Sequence, residues 1–155
     1  MTTVPSVRRA TQGDADAVGR LLHDFNTEYD DVTPGPEKIA ERIRLLLDDG
    51  DTAVLLAGDG PDGLALMRFR RSLWTPGQEC YLAELYVVPA RRGNGLGRAL
   101  MEAAIALAKE RGADGMDLGT AHTDTVARRL YESLGFVFDG SNEPGVPNYF
   151  YEKDF

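Results

Sequence analysis

Cysteine is almost absent from this chain: Cys80 is the single one, which excludes an internal disulfide and argues against a thiolate metal site. Histidine is also scarce: the chain has two, His23 and His122, which stand far apart with no ligand pattern around them. We therefore predict no metal site, surface positions for both histidines and a small core residue at Cys80. The lack of paired cysteines fits a reducing cytoplasm, where we expect the protein to reside.

Long hydrophobic runs are missing as well. No apolar run approaches the roughly 18 residues that span a bilayer, and the residues before Asp14 contain no apolar core typical of a signal peptide. Positive charge is in deficit, with 17 Lys and Arg against 25 Asp and Glu and a formal net charge of −8. We expect no membrane and no nucleic-acid partner, and a mild preference for cationic partners.

The remaining composition is that of a folded domain. The 155 residues are 43% hydrophobic and 27% charged, so we predict a single domain over residues 1–155. Hydrophobic periodicity predicts an α/β (α+β) fold with one mixed sheet, in the order β-α-α-β-β-β-α-β-α-β-β. The predicted strands are 7–10, 52–57, 64–72, 80–88, 115–121, 136–139 and 149–154, and the predicted helices begin near residues 15, 36, 96 and 125. A loop is predicted over residues 26–35.

The stretch RRGNGLGR, residues 91–98, follows the apolar strand and precedes a helix. Glycine costs about 0.5–1 kcal/mol relative to alanine in regular structure, so three glycines close together need a reason. A glycine turn leading into a helix N-terminus leaves main-chain N–H groups for an anion, and the helix dipole adds partial positive charge. Arg91, Arg92 and Arg98 add guanidinium groups suited to phosphate oxygens.

Two common phosphate-binding motifs do not match this stretch. A P-loop requires a lysine after its second glycine, and residues 91–98 contain none. A dinucleotide fingerprint follows the first strand of its unit, whereas these glycines follow the fourth predicted strand and differ in spacing. A nucleotide-dependent transferase is thus disfavoured as an alternative.

The segment Arg92-Gly93-Asn94-Gly95-Leu96-Gly97 is an instance of Arg/Gln-x-x-Gly-x-Gly/Ala. Together with ELYVVP at residues 84–89 and LYESLGF at residues 130–136, it resembles the GCN5-related N-acetyltransferase (GNAT) family over nearly the whole chain. The resemblance implies acetyl-CoA as cosubstrate and direct transfer of its acetyl group to a primary amine. A non-catalytic acyl-CoA-binding module of the same fold is the alternative, and dimers are frequent in the family.

The resemblance also implies positions that bind the coenzyme: Tyr86, Val87, Val88, Arg92, Gly93, Asn94, Gly95, Leu96, Gly97, Arg98, Asp124 and Ala127. In the family, main-chain groups at Val87 and Val88 pair with the pantetheine arm, and the glycine turn holds the pyrophosphate. Asp124 departs from the asparagine that many members have there. A carboxylate has no N–H to donate, so we expect Asp124 to act mainly as a helix cap.

Two residues are candidates for proton transfer. Glu84 is the sole charge in the apolar strand 80–88 and matches a family glutamate near the acceptor amine, which makes it the candidate base. Tyr131 matches the family tyrosine that protonates the coenzyme A sulfur. The alternatives are a structural glutamate paired with an arginine and a core tyrosine on an amphipathic helix.

The acceptor site is implied less specifically. In the family, the loop between the first two helices and the final hairpin line it, which assigns Glu28, Tyr29 and Tyr149 to the substrate. Acidic and aromatic groups suit a small cationic amine. A solvated acidic loop is the alternative, and the sequence does not choose among amines.

Overall fold

The computed structural model describes residues 5–138 and 148–155. Its strands are β1 (Val7–Arg9), β2 (Thr52–Ala57), β3 (Gly63–Arg71), β4 (Gln78–Val87), β5 (Ala113–Ala121), β6 (Val137–Phe138) and β7 (Asn148–Asp154). Its helices are α1 (Ala15–Glu28), α2 (Pro36–Asp49), α3 (Leu96–Glu110) and α4 (Thr125–Ser133). Within the described ranges, no helix is long and apolar enough to cross a membrane.

The strands form one seven-stranded sheet in the order β1-β2-β3-β4-β5-β7-β6. β1 pairs antiparallel with β2, β4 pairs parallel with β5, and β7 pairs antiparallel with both β5 and β6. The prediction of a mixed sheet is therefore confirmed. β4 is the middle strand of the order, as the apolar run of residues 80–88 predicted.

The chain divides into two compact units. The first runs to Met67 and includes Glu84–Ala104. In it α1 packs on α2, and β2 is buried along its whole length. The second comprises Arg68–Ala83 and Ile105–Phe155, with its core in β5, β7 and the flanking helices. The single domain over residues 1–155 stays a prediction.

The ends of several elements differ from their predicted positions. α1 continues to Glu28, whereas a loop was predicted from Asn26. In the extra turn, polar side chains bond to carbonyls of the preceding turn and so do not direct the chain into a loop: Asn26 Nδ2 donates to the Leu22 carbonyl at 2.7 Å, and Thr27 Oγ1 donates to the His23 carbonyl at 2.8 Å. The predicted strand end at residue 139 and the loop after it lie outside the described residues.

Two predicted helix boundaries are confirmed. Pro36 is the first residue of α2, where its missing N–H costs no helical hydrogen bond. Gly135 follows α4 with a φ of +89°, the left-handed conformation that commonly ends a helix. These boundaries depend on the chemistry of single residues, which is why the sequence predicts them well.

Candidate active site

The turn between β4 and α3 has the backbone of an anion-binding loop. Gly93 and Gly95 have φ values of +82° and +83°, which residues with a Cβ rarely adopt. A Cβ at either position would meet no atom within 4 Å. The two glycines are therefore required by backbone conformation, and crowding by the protein plays no part. Gly97, the third glycine, is the second residue of α3.

The residue before α3 has no side chain that could cap the helix. The Gly95 carbonyl accepts from the Ala99 N–H at 3.0 Å, which makes Gly95 the N-terminal flanking residue of the helix. Because Gly95 has no side chain, it cannot satisfy the N–H groups of the first turn. Asn94 points its amide back to the Arg91 carbonyl, at 3.2 Å. The turn is exposed, so an anion can reach these N–H groups and the positive end of the helix dipole.

The guanidinium of Arg92 points back toward β4 and α1. Its Nε donates to the Val87 carbonyl at 2.9 Å, and its Nη2 lies 2.8 Å from Glu28 Oε1. The same group lies over the Tyr86 ring, 5.7 Å from the ring centroid. Arg92 thus joins three parts of the first unit.

The other two arginines of the turn also have carboxylate partners. Arg91 lies 3.7 Å from Asp62, and Arg98 lies 3.7 Å from Glu102. The predicted guanidinium contacts with phosphate therefore compete with existing ion pairs. The main-chain N–H groups of Arg91 and Arg92 are also engaged, by the carbonyls of Val88 at 3.0 Å and Pro89 at 3.3 Å, so the N–H groups from Gly93 onward are the candidates for an anion. Sequence reasoning missed Asp62, because the GDGPDG segment around it was interpreted only as a turn.

The end of β4 differs from its prediction. Val88 lies beyond the strand, and its N–H donates to the Asp62 carbonyl at 2.8 Å, so this N–H is not available to a pantetheine arm. The register of β4 with β5 ends at Leu82↔Leu118, while β4 itself continues to Val87. The prediction of a coenzyme contact at Val88 thus needs a group other than its N–H.

The side chain of Tyr86 belongs to the core of the first unit. It is 5% exposed and stacks on Phe25 of α1, with 4.8 Å between ring centroids. Burial raises the pKa of its hydroxyl, and the nearby Glu28 carboxylate adds to the shift. A contact of Tyr86 with the coenzyme is therefore restricted to its main chain.

Glu84 is partly buried on β4. Among the described residues, no hydrogen bond or ion pair of its carboxyl is found, which argues against the alternative of a structural ion pair. Burial raises the pKa of Glu84 above its ordinary value. A carboxylate with a raised pKa is a stronger base than an ordinary one, which is compatible with the predicted role of Glu84 as a base.

Tyr131 lies in the second unit, on α4. It is 5% exposed, with the rings of Phe136 and Tyr151 at centroid distances of 6.0 and 6.1 Å. In the described part of the chain, no hydrogen bond of its hydroxyl is found. Burial raises the pKa of Tyr131, and the Asp124 carboxylate raises it further. The phenol therefore keeps its proton at neutral pH and can act as a donor.

Asp124 caps α4, as predicted. Its Oδ1 accepts from the Ala127 N–H at 3.1 Å. This hydrogen bond occupies the N–H of Ala127. Like Asp124, Ala127 is a residue that the resemblance assigned to the coenzyme. The cap accounts for an aspartate at this position without a bond to a ligand.

The three predicted acceptor residues are distributed over both units. In the first unit, Glu28 is bound by Arg92, and the half-exposed Tyr29 meets the edge of Phe25 at 5.5 Å. In the second unit, Tyr149 packs on Phe138 at 4.5 Å and has the Arg128 guanidinium 4.6 Å from its ring centroid.

The remaining reactive side chains have ordinary surroundings. Cys80 is 1% exposed, and burial raises the pKa of its thiol to about 12, so it is not placed to act as a nucleophile. His122 is exposed, as predicted. His23 is half-buried, contrary to the prediction of a surface position, because its Nδ1 lies 2.5 Å from Thr33 Oγ1.

The sequence and the fold of this chain are similar to those of known proteins. Residues 17–136 match the profile of the acetyltransferase (GNAT) family. A solved structure from Arthrobacter sp. FB24, described as an acetyltransferase, is 44% identical, with a TM-score of 0.82 over 95% of this chain and 94% of that one. Streptothricin acetyltransferase of Streptomyces lavendulae is 30% identical over 86% of this chain and 82% of its own length. Mycothiol acetyltransferase of Thermobispora bispora is 49% identical over 36% of this chain and 20% of that protein.

Proposed function

Because this chain belongs to the acetyltransferase (GNAT) family, we propose that it is an acetyl-CoA-dependent N-acetyltransferase that transfers the acetyl group directly to a primary amine. The observation that carries the proposal is the segment from β4 to α3. There, a partly buried Glu84 carboxyl, for which no partner is found among residues 5–138 and 148–155, precedes a turn with positive φ at Gly93 and Gly95 that leads into the N-terminus of α3.

The main-chain N–H groups of the turn are proposed to bind the diphosphate of the coenzyme. The positive φ values of Gly93 and Gly95 support this role, and so does the position of Gly95, a residue with no side chain, directly before α3. Main-chain groups of Tyr86 and Val87 are proposed to contact the pantetheine arm. Contacts of Asp124 and Ala127 with the coenzyme stay a proposal, with the cap hydrogen bond between them as a competing use.

Glu84 is proposed to remove the proton that the amine must lose. An alkylammonium has a pKa of about 10.4 and no free lone pair at neutral pH. Once that proton passes to Glu84, the nitrogen attacks the thioester carbonyl and becomes positively charged in the tetrahedral intermediate. The carbon–sulfur bond then breaks and the nitrogen loses its second proton to solvent, which gives the amide and the thiolate of coenzyme A. The raised pKa of Glu84 supports its role as the base.

Tyr131 is proposed to give its proton, or a hydrogen bond, to the departing thiolate. Its raised pKa keeps the phenol protonated, and its hydroxyl is not engaged by any described residue. The same shift makes complete proton transfer to a thiolate of pKa about 8.5 less favourable. Tyr131 therefore assists a leaving group that is already stable.

The acceptor is proposed to be a small cationic amine. Tyr29 and the exposed Asp30 and Asp31 after α1 support this choice, whereas the charge of Glu28 is balanced by Arg92. Tyr149 is proposed to contribute an aromatic surface. The named relatives act on different compounds, streptothricin and mycothiol, so family membership leaves the acceptor open.

A cellular location and an oligomeric state are also proposed, from the composition and from the family. The lone cysteine supports a cytoplasmic location. The frequency of dimers in the family supports a homodimer, which sedimentation analysis would test.

Ligand binding followed by turnover tests the proposed function. We expect acetyl-CoA to raise the melting temperature more than ATP or NAD, and a panel of amines and peptides to include one that releases free thiol from acetyl-CoA. Tight acetyl-CoA binding with no thiol release across the panel would favour the non-catalytic module. Stabilisation by ATP or NAD alone would favour a nucleotide-dependent enzyme.

A further inference from the structure

We propose that Glu28 is a positioning residue for acetyl-CoA binding: it holds Arg92 against the end of β4 and so fixes the shape of the phosphate-binding turn. The inference rests on the proposed coenzyme site, and it assigns Glu28 a role other than contact with the acceptor amine. Arg92 correspondingly acts as a brace within the protein and not as a phosphate ligand.

The contacts of Arg92 define the brace. Arg92 immediately precedes Gly93, the first residue of the turn with a positive φ. Its Nε is fixed by the Val87 carbonyl at 2.9 Å and its Nη2 by Glu28 Oε1 at 2.8 Å. Because a guanidinium is planar, two bonds from different nitrogens to separate acceptors fix both its position and its orientation. The ring of Tyr86 lies beneath it.

The partners of Arg92 are themselves held in place. Glu28 is the last residue of α1, a helix anchored by buried Val18 and Leu21. Tyr86 is fixed by its stack on Phe25 of the same helix. A turn that contains glycines at positive φ has high conformational freedom when it is not restrained. The brace therefore restrains the turn before a ligand arrives, which reduces the entropy lost on binding.

If Glu28 acted only through its charge, it would weaken the binding of acetyl-CoA, whereas the brace strengthens it. A carboxylate close to an anion site repels the phosphates of acetyl-CoA, so its removal would tighten binding if Glu28 had no positioning role. Competition between phosphate and Glu28 for Arg92 also predicts tighter binding after removal. The sign of the change in affinity therefore separates the brace from both alternatives.

The test is isothermal titration of wild type and variants with acetyl-CoA, together with a melting temperature for each variant to verify folding. We expect Glu28→Met, which removes both charge and acceptor, to weaken binding about fivefold, the scale of one partly exposed ion pair. Glu28→Gln keeps an acceptor oxygen and should recover part of this loss. Asp24→Asn removes the same charge at an exposed position one turn earlier in α1 and should change affinity by less than about twofold.

A double-mutant cycle tests whether Glu28 acts through Arg92. Arg92→Met should weaken binding about tenfold, since the bond to the Val87 carbonyl is lost as well. In that background, Glu28→Met should change the affinity by less than about twofold, because residues that act as a unit are not additive. A further fivefold loss would mean that Glu28 acts independently of Arg92 and would overturn the proposal.

The outcomes are distinguishable from a failure of the proposed function. If wild type does not bind acetyl-CoA, both the coenzyme site and the brace are overturned. If wild type binds and folded Glu28→Met binds equally well or more tightly, the brace alone is overturned and the coenzyme site stands.

Discussion

The chain passes from a strand into a helix at two comparable junctions, and they are built in opposite ways. Between β4 and α3, Gly95 occupies the position before the helix and offers no side chain to its N–H groups. Between β5 and α4, Asp124 occupies that position, and its carboxylate accepts from Ala127. The first junction thus has no side chain at the position before its helix, whereas the second has a carboxylate there that satisfies one first-turn N–H.

The difference shows why a helix N-terminus by itself does not identify a phosphate site. Both helices have dipoles and first-turn N–H groups. A carboxylate at the cap supplies the anion that the dipole favours and would repel a phosphate. A glycine at positive φ turns the backbone and supplies nothing. The identity of one residue therefore decides which helix end is suited to bind the coenzyme.

The largest expected effect comes from making the first junction resemble the second. Gly95→Asp places a carboxylate where the diphosphate is proposed to lie, and like charges in contact cost several kcal/mol. We expect acetyl-CoA affinity to fall more than about a hundredfold, measured by titration. Gly95→Asn has the same shape and tolerates positive φ, so it controls for the backbone and should lose less affinity. Intact affinity in Gly95→Asp would contradict the location of the phosphates.

The second largest effect is expected at Glu84, on the strand before the first junction. Glu84→Gln should reduce turnover at neutral pH about a hundredfold, with partial recovery at alkaline pH, where more of the amine is already deprotonated. In wild type, the rate should fall as the pH drops through the raised pKa of Glu84. Glu79→Gln on the same strand is the control. A loss that is equal at all pH values would indicate a structural role.

The thermal stability of Glu84→Gln should rise, although its turnover is expected to fall. The folded-state pKa of Glu84 lies above its ordinary value, so its contribution to stability is present in acid and is lost as the pH rises through the raised pKa. At neutral pH the buried charge therefore costs stability, and Glu84→Gln should raise the melting temperature. A lower melting temperature at neutral pH would be evidence for a partner of Glu84 in the native protein.

The helix after the second junction carries a smaller effect. Tyr131→Phe removes the hydroxyl and preserves the packing on Phe136 and Tyr151. We expect turnover to fall roughly tenfold, below the usual range for general acids, because a thiolate leaves easily, while acetyl-CoA affinity stays the same. Tyr81→Phe, at an exposed position on β4, is the matched control. Unchanged turnover in Tyr131→Phe would remove its role as the acid.

The smallest expected effect concerns the Asp124 cap at the start of α4. Asp124→Ala removes the cap and should cost about 1 kcal/mol in the free energy of unfolding. Asp124→Asn retains the acceptor oxygen and should be close to wild type. Urea denaturation measures both. Equal stability of Asp124→Ala and wild type would show that the cap contributes little and would reopen a ligand role for Asp124.

Much of the fold could be predicted because its signals are local. The order of strands and helices follows from hydrophobic periods, and Pro36 and Gly135 mark helix boundaries by their own chemistry. The end of α1 could not be predicted so well, because Asn26 and Thr27 bond to the helix and not to a loop. The same polar residues favour loops in other settings.

The candidate site was predictable in its main chain and less so in its side chains. The glycines of residues 91–98 predicted a turn before the helix, with the reason for glycine left open between positive φ and close approach, and Asp124 was predicted as a cap. The use of the Val88 N–H by Asp62 was not foreseen, because nothing in either segment indicates that they meet. Whether a carboxyl such as that of Glu84 has a partner among the described residues also depends on which side chains surround it in space.

By itself, the sequence determined the elements, the glycine turn, the cap of α4 and the family, since each is carried by short motifs that can be recognised without knowing how distant parts of the chain meet. Only the tertiary structure decided where charged side chains find partners. Arg92 lies 64 positions from Glu28 in the chain, yet the two form an ion pair. A guanidinium takes whichever acceptor the folded chain brings within about 3 Å, and local sequence does not encode that distance.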